Sequence, residues 1–98
     1  MAKNKVMKVI KFLEQCLRES GLHTSKIILF GSQSKDTAAR GSDIDVVIVS
    51  DDFKGKNIFE RARLTKDAEI KTIKKFILPL DILTMTRDEW KKSSAMLS

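Results

Sequence analysis

The chain has 98 residues, 19 Lys and Arg against 13 Asp and Glu, one His and one Cys. That length predicts one domain with a modest core, and the single Cys and single His exclude an internal disulfide and a Cys/His zinc site. The formal net charge of +6 favours polyanionic or acidic partners, but the lysines are scattered, with no Arg-rich block and few aromatics, so sequence-specific reading of nucleic acid is disfavoured.

The basic start, MAKNKVMKVIKFLEQ, interrupts its apolar residues with Lys8, Lys11 and Glu14. It is not the apolar block of a signal peptide, and no run of eighteen apolar residues marks a membrane span. A cytoplasmic protein is expected. From Asn4 to Ser20 the residues Val6, Val9, Ile10, Leu13, Cys16 and Leu17 recur at three and four, which predicts one buried helix face. Cys16 reads there as a small core residue. Gly21 follows where a C-terminal cap belongs.

KIILF, Lys26 to Phe30, reads as a buried strand. Ser32 to Ala39 suits a short helix, with Arg40-Gly41-Ser42 as a turn. Ile44 to Ser50 is a second strand whose run of Val46, Val47, Ile48 and Val49 lacks alternation, so both faces should be covered. DDFKGKN is a loop punctuated by Gly55, in which Phe53 either packs beneath a ligand site or plugs the core. A helical pattern runs from Asn57 to Phe76. Its expected buried stripe is Ile58, Phe59, Ala62, Ile70, Ile73 and Ile77, with a break near Lys66 to Ala68 where the pattern turns polar. LPLDILT, Leu78 to Thr84, is a third strand entered through Pro79. Thr86 and Glu89 have capping-box spacing ahead of a last helix through Trp90, a packing anchor. The order αβαβαβα predicts an α+β fold: a small mixed sheet of three to four strands packed with helices.

Asp43 and Asp45 are two apart at the head of a strand, so alternation puts both on one face with Cα atoms roughly 6.5–7 Å apart. Carboxylates about 4–5 Å apart repel by roughly 3–4 kcal/mol at an effective dielectric near 20. A hard, oxygen-seeking cation such as Mg²⁺ relieves that repulsion and takes one or two carboxylates plus substrate phosphates. Asp81 interrupts the otherwise apolar third strand. If that strand lies beside the second, Asp81 joins the same cluster, and three grouped carboxylates suit two metal ions. Upstream, Gly31 ends a strand where backbone can approach a ligand, and Ser32 is a good helix cap. Amides opening such a helix favour a phosphate. His23 reads as a surface residue, and Lys54, Lys56 and Arg61 as a solvated face.

Gly31-Ser32, ten residues, then Asp43-Ile44-Asp45 resembles the GS-x10-D-x-D signature of the minimal nucleotidyltransferases, in the polymerase-beta-like superfamily. LFGS before it and SDIDVVIV after it are also similar, and the resemblance spans Ile27 to Thr84. It implies that Gly31 and Ser32 bind a triphosphate, that Asp43 and Asp45 bind two Mg²⁺ ions, and that Asp81 binds the second metal and helps deprotonate an acceptor hydroxyl. The implied reaction is transfer of a nucleoside monophosphate, AMP from ATP, to a hydroxyl of a protein or other acceptor. The family continues GSRARG where this chain has Gln33, Ser34, Lys35 and Asp36. Lys35 then replaces a forked arginine with a point charge, Asp36 adds negative charge near the triphosphate, and Arg40 is a second phosphate contact. Ninety-eight residues leave no separate acceptor-binding domain, so a second copy or a partner would present the hydroxyl. In this family that partner is often a HEPN-domain toxin, with the nucleotidyltransferase as antitoxin. The alternative is a binding module that neutralises a partner by contact alone.

Overall fold

A computed structural model describes residues 2–30 and 44–97. Helix α1 spans Ala2–Glu19 and buries Val6, Val9, Leu13, Cys16 and Leu17, the face that its spacing predicts. Gly21 stops it. At φ +93° this residue adopts the left-handed region that favours glycine. The Leu22 N–H then reaches the Leu17 carbonyl and the Gly21 N–H the Arg18 carbonyl, both at 3.0 Å. Leu22 and Leu17 are both in the core, the apolar contact that accompanies such a Schellman cap. Burial pushes the Cys16 thiol up from its ordinary value, so this thiol is an inert packing group.

Three strands follow: β1, Lys26–Phe30, β2, Ile44–Val49, and β3, Leu80–Met85. The sheet order is β1-β2-β3, with β1 antiparallel and β3 parallel to β2. The central β2 is buried along Val46 to Val49, as its unbroken apolar run predicts. Ile44, Val46 and Ile48 point to the core built with α1. β1 departs from the expected buried strand. Among the described residues it pairs on one side only, and Ile27 and Ile28 are half-buried and Leu29 is exposed. Pro79 precedes β3 and accepts a hydrogen bond from the Ile44 N–H at 3.1 Å. The helix expected over Ser32 to Ala39 and its turn lie outside the described residues.

Helix α2 runs unbroken over Ile58–Phe76, with Asn57 and Glu60 closing a capping box. Two expectations fail here for one reason. The polar middle is the buried stripe, Thr65, Ala68 and Thr72, because small side chains let the helix lie close on the rest of the core. Their hydroxyls are satisfied within the helix: Thr72 donates to the Ala68 carbonyl at 2.7 Å and Thr65 to that of Ala62 at 3.2 Å. Ile58, Phe59 and Ile77 are instead 72%, 76% and 79% exposed.

The loop after β2 is a 3-10 turn over Asp51–Phe53 that seats Phe53, fully buried, in the core. The Ser50 hydroxyl donates to the His23 carbonyl at 2.6 Å and accepts from the Asp52 N–H at 3.1 Å. His23 itself is exposed, as expected.

Arg61 is not solvated. Its side chain, 14% exposed, donates twice to Glu89 at 2.8 and 3.2 Å, donates to the Lys56 carbonyl at 2.9 Å and lies over the Phe53 ring. Glu89 also completes the predicted box with Thr86 at the head of helix α3, Arg87–Leu97. The Arg61 hydrogen bond, with the Thr86 N–H second, holds the Glu89 carboxyl below its ordinary value. A depressed carboxylate stabilises the fold above its unfolded pKa and loses that contribution as pH falls through the folded one. NMR titration should find Glu89 titrating below an ordinary glutamate, and Arg61→Ala should raise its midpoint back towards the ordinary one.

Candidate active site

Asp45 and Asp81 are direct partners in the parallel β2–β3 register. Neighbouring strands lie roughly 4.8 Å apart, and in-register residues share a face of the sheet. That face is opposite the one Ile44 and Val46 turn to α1. Asp45 is half-buried on the central strand, whereas Asp81 is exposed on the edge strand. Neither takes part in an ion pair among the described residues. The expectation that the third strand lies beside the second is met, and it makes Asp81 the immediate neighbour of Asp45.

Sequence reasoning missed Glu69. It lies on α2 beside buried Ala68, just after the stretch expected to break the helix. Burial first, and the negative charge of Asp81 second, push its carboxyl up from the ordinary value. A third acid therefore senses Asp81. The available signal was a polar residue flanking a small buried one.

The chain leaves β1 at Phe30, whose register partner is Asp45, and re-enters β2 at Ile44. Both ends of the intervening segment thus sit at the Asp45 end of the sheet. Gly31, Ser32, Lys35, Arg40 and Asp43 lie outside the described residues. Among the described residues no group of three His, Cys, Asp or Glu is poised around one ion. The pair of neighbouring carboxylates still fits a hard cation in chemistry: two oxygen donors of like charge on adjacent strands, with no ion-pair partner among the described residues. Phe53, Lys54 and Lys56 follow the opposite end of β2, so Phe53 plugs the core and does not underlie this site. A cavity of about 330 Å³ lined by His23, Asp52 and Lys56 is likewise at that far end.

The sequence profile of the family described as "Nucleotidyltransferase domain" matches residues 9–97. The chain belongs to the nucleotidyltransferase domain family. This domain is 30% identical over 84 residues to "Putative protein adenylyltransferase MJ1305" of Methanocaldococcus jannaschii, covering 85% of this chain and 56% of that protein. It therefore spans little more than half the length of that relative. In fold, the domain is similar to the BolA domain of SufE1 from Arabidopsis thaliana, with TM-score 0.56 and 26% identity over 85% of this chain and 92% of that one. It is also similar to BolA1 from the same plant, with TM-score 0.53 and 22% identity over 79% and 94%. The likeness to BolA1 concerns the fold alone. Among the described residues no helix is long and apolar enough to cross a membrane.

Proposed function

We propose that this nucleotidyltransferase domain transfers a nucleoside monophosphate, AMP from ATP, to a hydroxyl on a partner protein. The observation that carries the reading is the Asp45–Asp81 register across β2 and β3. Asp43, two residues before Asp45, completes the set of metal-binding carboxylates, and the three hold two Mg²⁺ ions. Gly31, Ser32, Lys35 and Arg40 hold the triphosphate, since the segment that carries them starts and ends beside Asp45. When bound, Mg²⁺ supplies neutralisation of the charge on the phosphates.

In the reaction the acceptor oxygen forms a bond to the α-phosphorus. The bond from that phosphorus to the bridging oxygen breaks, and pyrophosphate leaves with the electron pair. The hydroxyl proton passes to Asp81, the more exposed of the pair and so the one an incoming acceptor reaches. Half-buried Asp45, fixed on the central strand, positions the phosphates. The adenylyltransferase relative supports ATP as donor and protein as acceptor. A HEPN-domain protein is the partner proposed to present the hydroxyl.

The test uses ATP labelled at the α- or the γ-phosphate, with Mg²⁺ and the protein encoded beside this one. Label from the α position should appear on that partner and label from the γ position should not. Label from the γ position, with none from the α position, would indicate phosphoryl transfer and overturn the reading. A second reading, a binding module without turnover, is favoured by the likeness to the BolA domain of SufE1. It predicts a tight complex that Asp45→Asn leaves unchanged and no label in either case.

A further inference from the structure

The net charge of the chain is carried entirely by two helices. α1 and α2 hold eleven Lys and Arg against five Asp and Glu, and the remaining residues hold eight of each. Within these helices the charge is further concentrated. The Phe12 and Phe76 rings meet at 5.7 Å, and Lys75 Nζ lies 5.2 Å from the Phe12 ring centre. Lys71 acts on Cys16, one turn further along α1. The helices are therefore antiparallel, and the part of α1 before Phe12 continues just past the last turns of α2. Lys5, Lys8 and Lys11 come from the first, and Lys71, Lys74 and Lys75 from the second. All six are exposed. No acid occurs in residues 2–13 or 70–77, and none of the six lysines is ion-paired among the described residues.

On α1 this arrangement opposes helix stability. Lysines three and four apart repel, and α1 has no acid in its first turn, so its lysines sit at the positive end of the helix dipole. Lys74 and Lys75 suit the negative end of the α2 dipole, and Lys75 lies over the Phe12 and Phe76 rings, but the exposed lysines of α1 have no such offset, and an acidic partner would supply it. From this we infer that the lysine-rich end of the α1–α2 layer docks an acidic, amphipathic segment of a partner protein. Three features select that occupant. Ile70, 40% exposed, lies one turn before Lys74 on α2, and Ile77, 79% exposed, caps the end of the helix just after Lys74 and Lys75, so apolar anchors flank the cations. The patch has no Arg and no fully exposed aromatic ring, the groups that fork onto phosphates or stack on bases. A second copy would bring like charge to like. The surface also lies on the opposite face of the sheet from Asp45 and Asp81 and is independent of the proposed reaction.

The experiment measures, by fluorescence anisotropy, binding of a helical peptide with Glu along one face and Leu beside it. A poly(U) oligonucleotide and phosphatidylcholine–phosphatidylglycerol vesicles serve as competing probes. Two variants of equal net charge are compared: Lys8→Glu/Lys74→Glu in the patch, and Lys91→Glu/Lys92→Glu on α3. The peptide should bind the parent protein more tightly than either other probe. The patch variant should weaken it about tenfold or more, the α3 variant at most about twofold, and Asp45→Asn not at all. Circular dichroism should show both charge variants folded. Failure of the peptide to bind, equal weakening by both pairs, tighter binding of RNA or vesicles, or patch-dependent self-association would each overturn the inference.

Discussion

Asp45→Asn should lower nucleotidyl transfer by about 10²–10³-fold, the loss typical of removing one preorganised charge-stabilising group, while the protein stays folded. Asn keeps the shape of Asp and removes its charge, so the β2 ladder and the buried residues around it are unchanged. Asp81→Asn should reduce transfer to a comparable extent, and here stability gives a second readout. In the protein free of metal, Asp81 among the described residues repels its neighbours: Asp45 in register with it and Glu69, whose carboxyl its charge helps push up. Asp81→Asn should therefore hold or raise the melting temperature without metal, while lowering activity with it. A functional carboxylate gives this opposition of activity and stability. A structural one gives parallel losses of both. Steady-state transfer assays and thermal melts in EDTA measure the two quantities.

The largest effect on folding is expected from Phe53→Ala. Phe53 is completely buried in the core cluster, held there by a short turn whose capping residue, Ser50, is itself tied to the His23 carbonyl. Truncating a buried Phe typically costs about 3–5 kcal/mol. A domain of this size has roughly 5–15 kcal/mol in total. The ring also lies beneath the Arg61 guanidinium, 5.8 Å from its centre, so its loss loosens the tie between α2 and α3. The melting temperature should fall by about 12 °C or more. Phe59→Ala is the control. That ring is 76% exposed, and its truncation should stay within about 0.5 kcal/mol.

The contrast between these two phenylalanines shows where the sequence was legible. Periodicity gave α1 almost residue for residue, because Val6, Val9, Leu13, Cys16 and Leu17 have no competing apolar face. The β2 run, the Gly21 cap and the Thr86–Glu89 box were readable for the same reason: each depends on neighbours a few residues away. α2 was misread because it carries two stripes. The bulky one, with Phe59, Ile70 and Ile77, attracts a hydrophobicity argument, yet the close approach of the helix selects the small residues Thr65, Ala68 and Thr72. Only the tertiary fold decides between them. β1 looked as apolar as a central strand, and its edge position depends on sheet order, which no local pattern encodes.

The candidate site divides along the same line. The adjacency of Asp45 and Asp81 was an expectation built on a strand with one misplaced carboxylate, and the parallel register supplies it. Glu69 was invisible, since its relation to Asp81 arises from packing across 12 residues of chain. Arg61 was taken for a solvated cation because its partner, Glu89, lies on another helix. The proposed phosphate contacts Gly31, Ser32, Lys35 and Arg40, and the proposed ligand Asp43, rest on motif spacing and on the flanking strands.

Isothermal titration of ATP, with Mg²⁺ or with EDTA, into the parent protein and into Asp45→Asn/Asp81→Asn tests the central claim most directly. The facing carboxylates are proposed to hold the metal that holds the nucleotide. ATP should bind the parent protein in Mg²⁺, and binding should be lost both in EDTA and in the double variant. Equal affinity in EDTA, or undiminished Mg²⁺-dependent binding by the double variant, would contradict it.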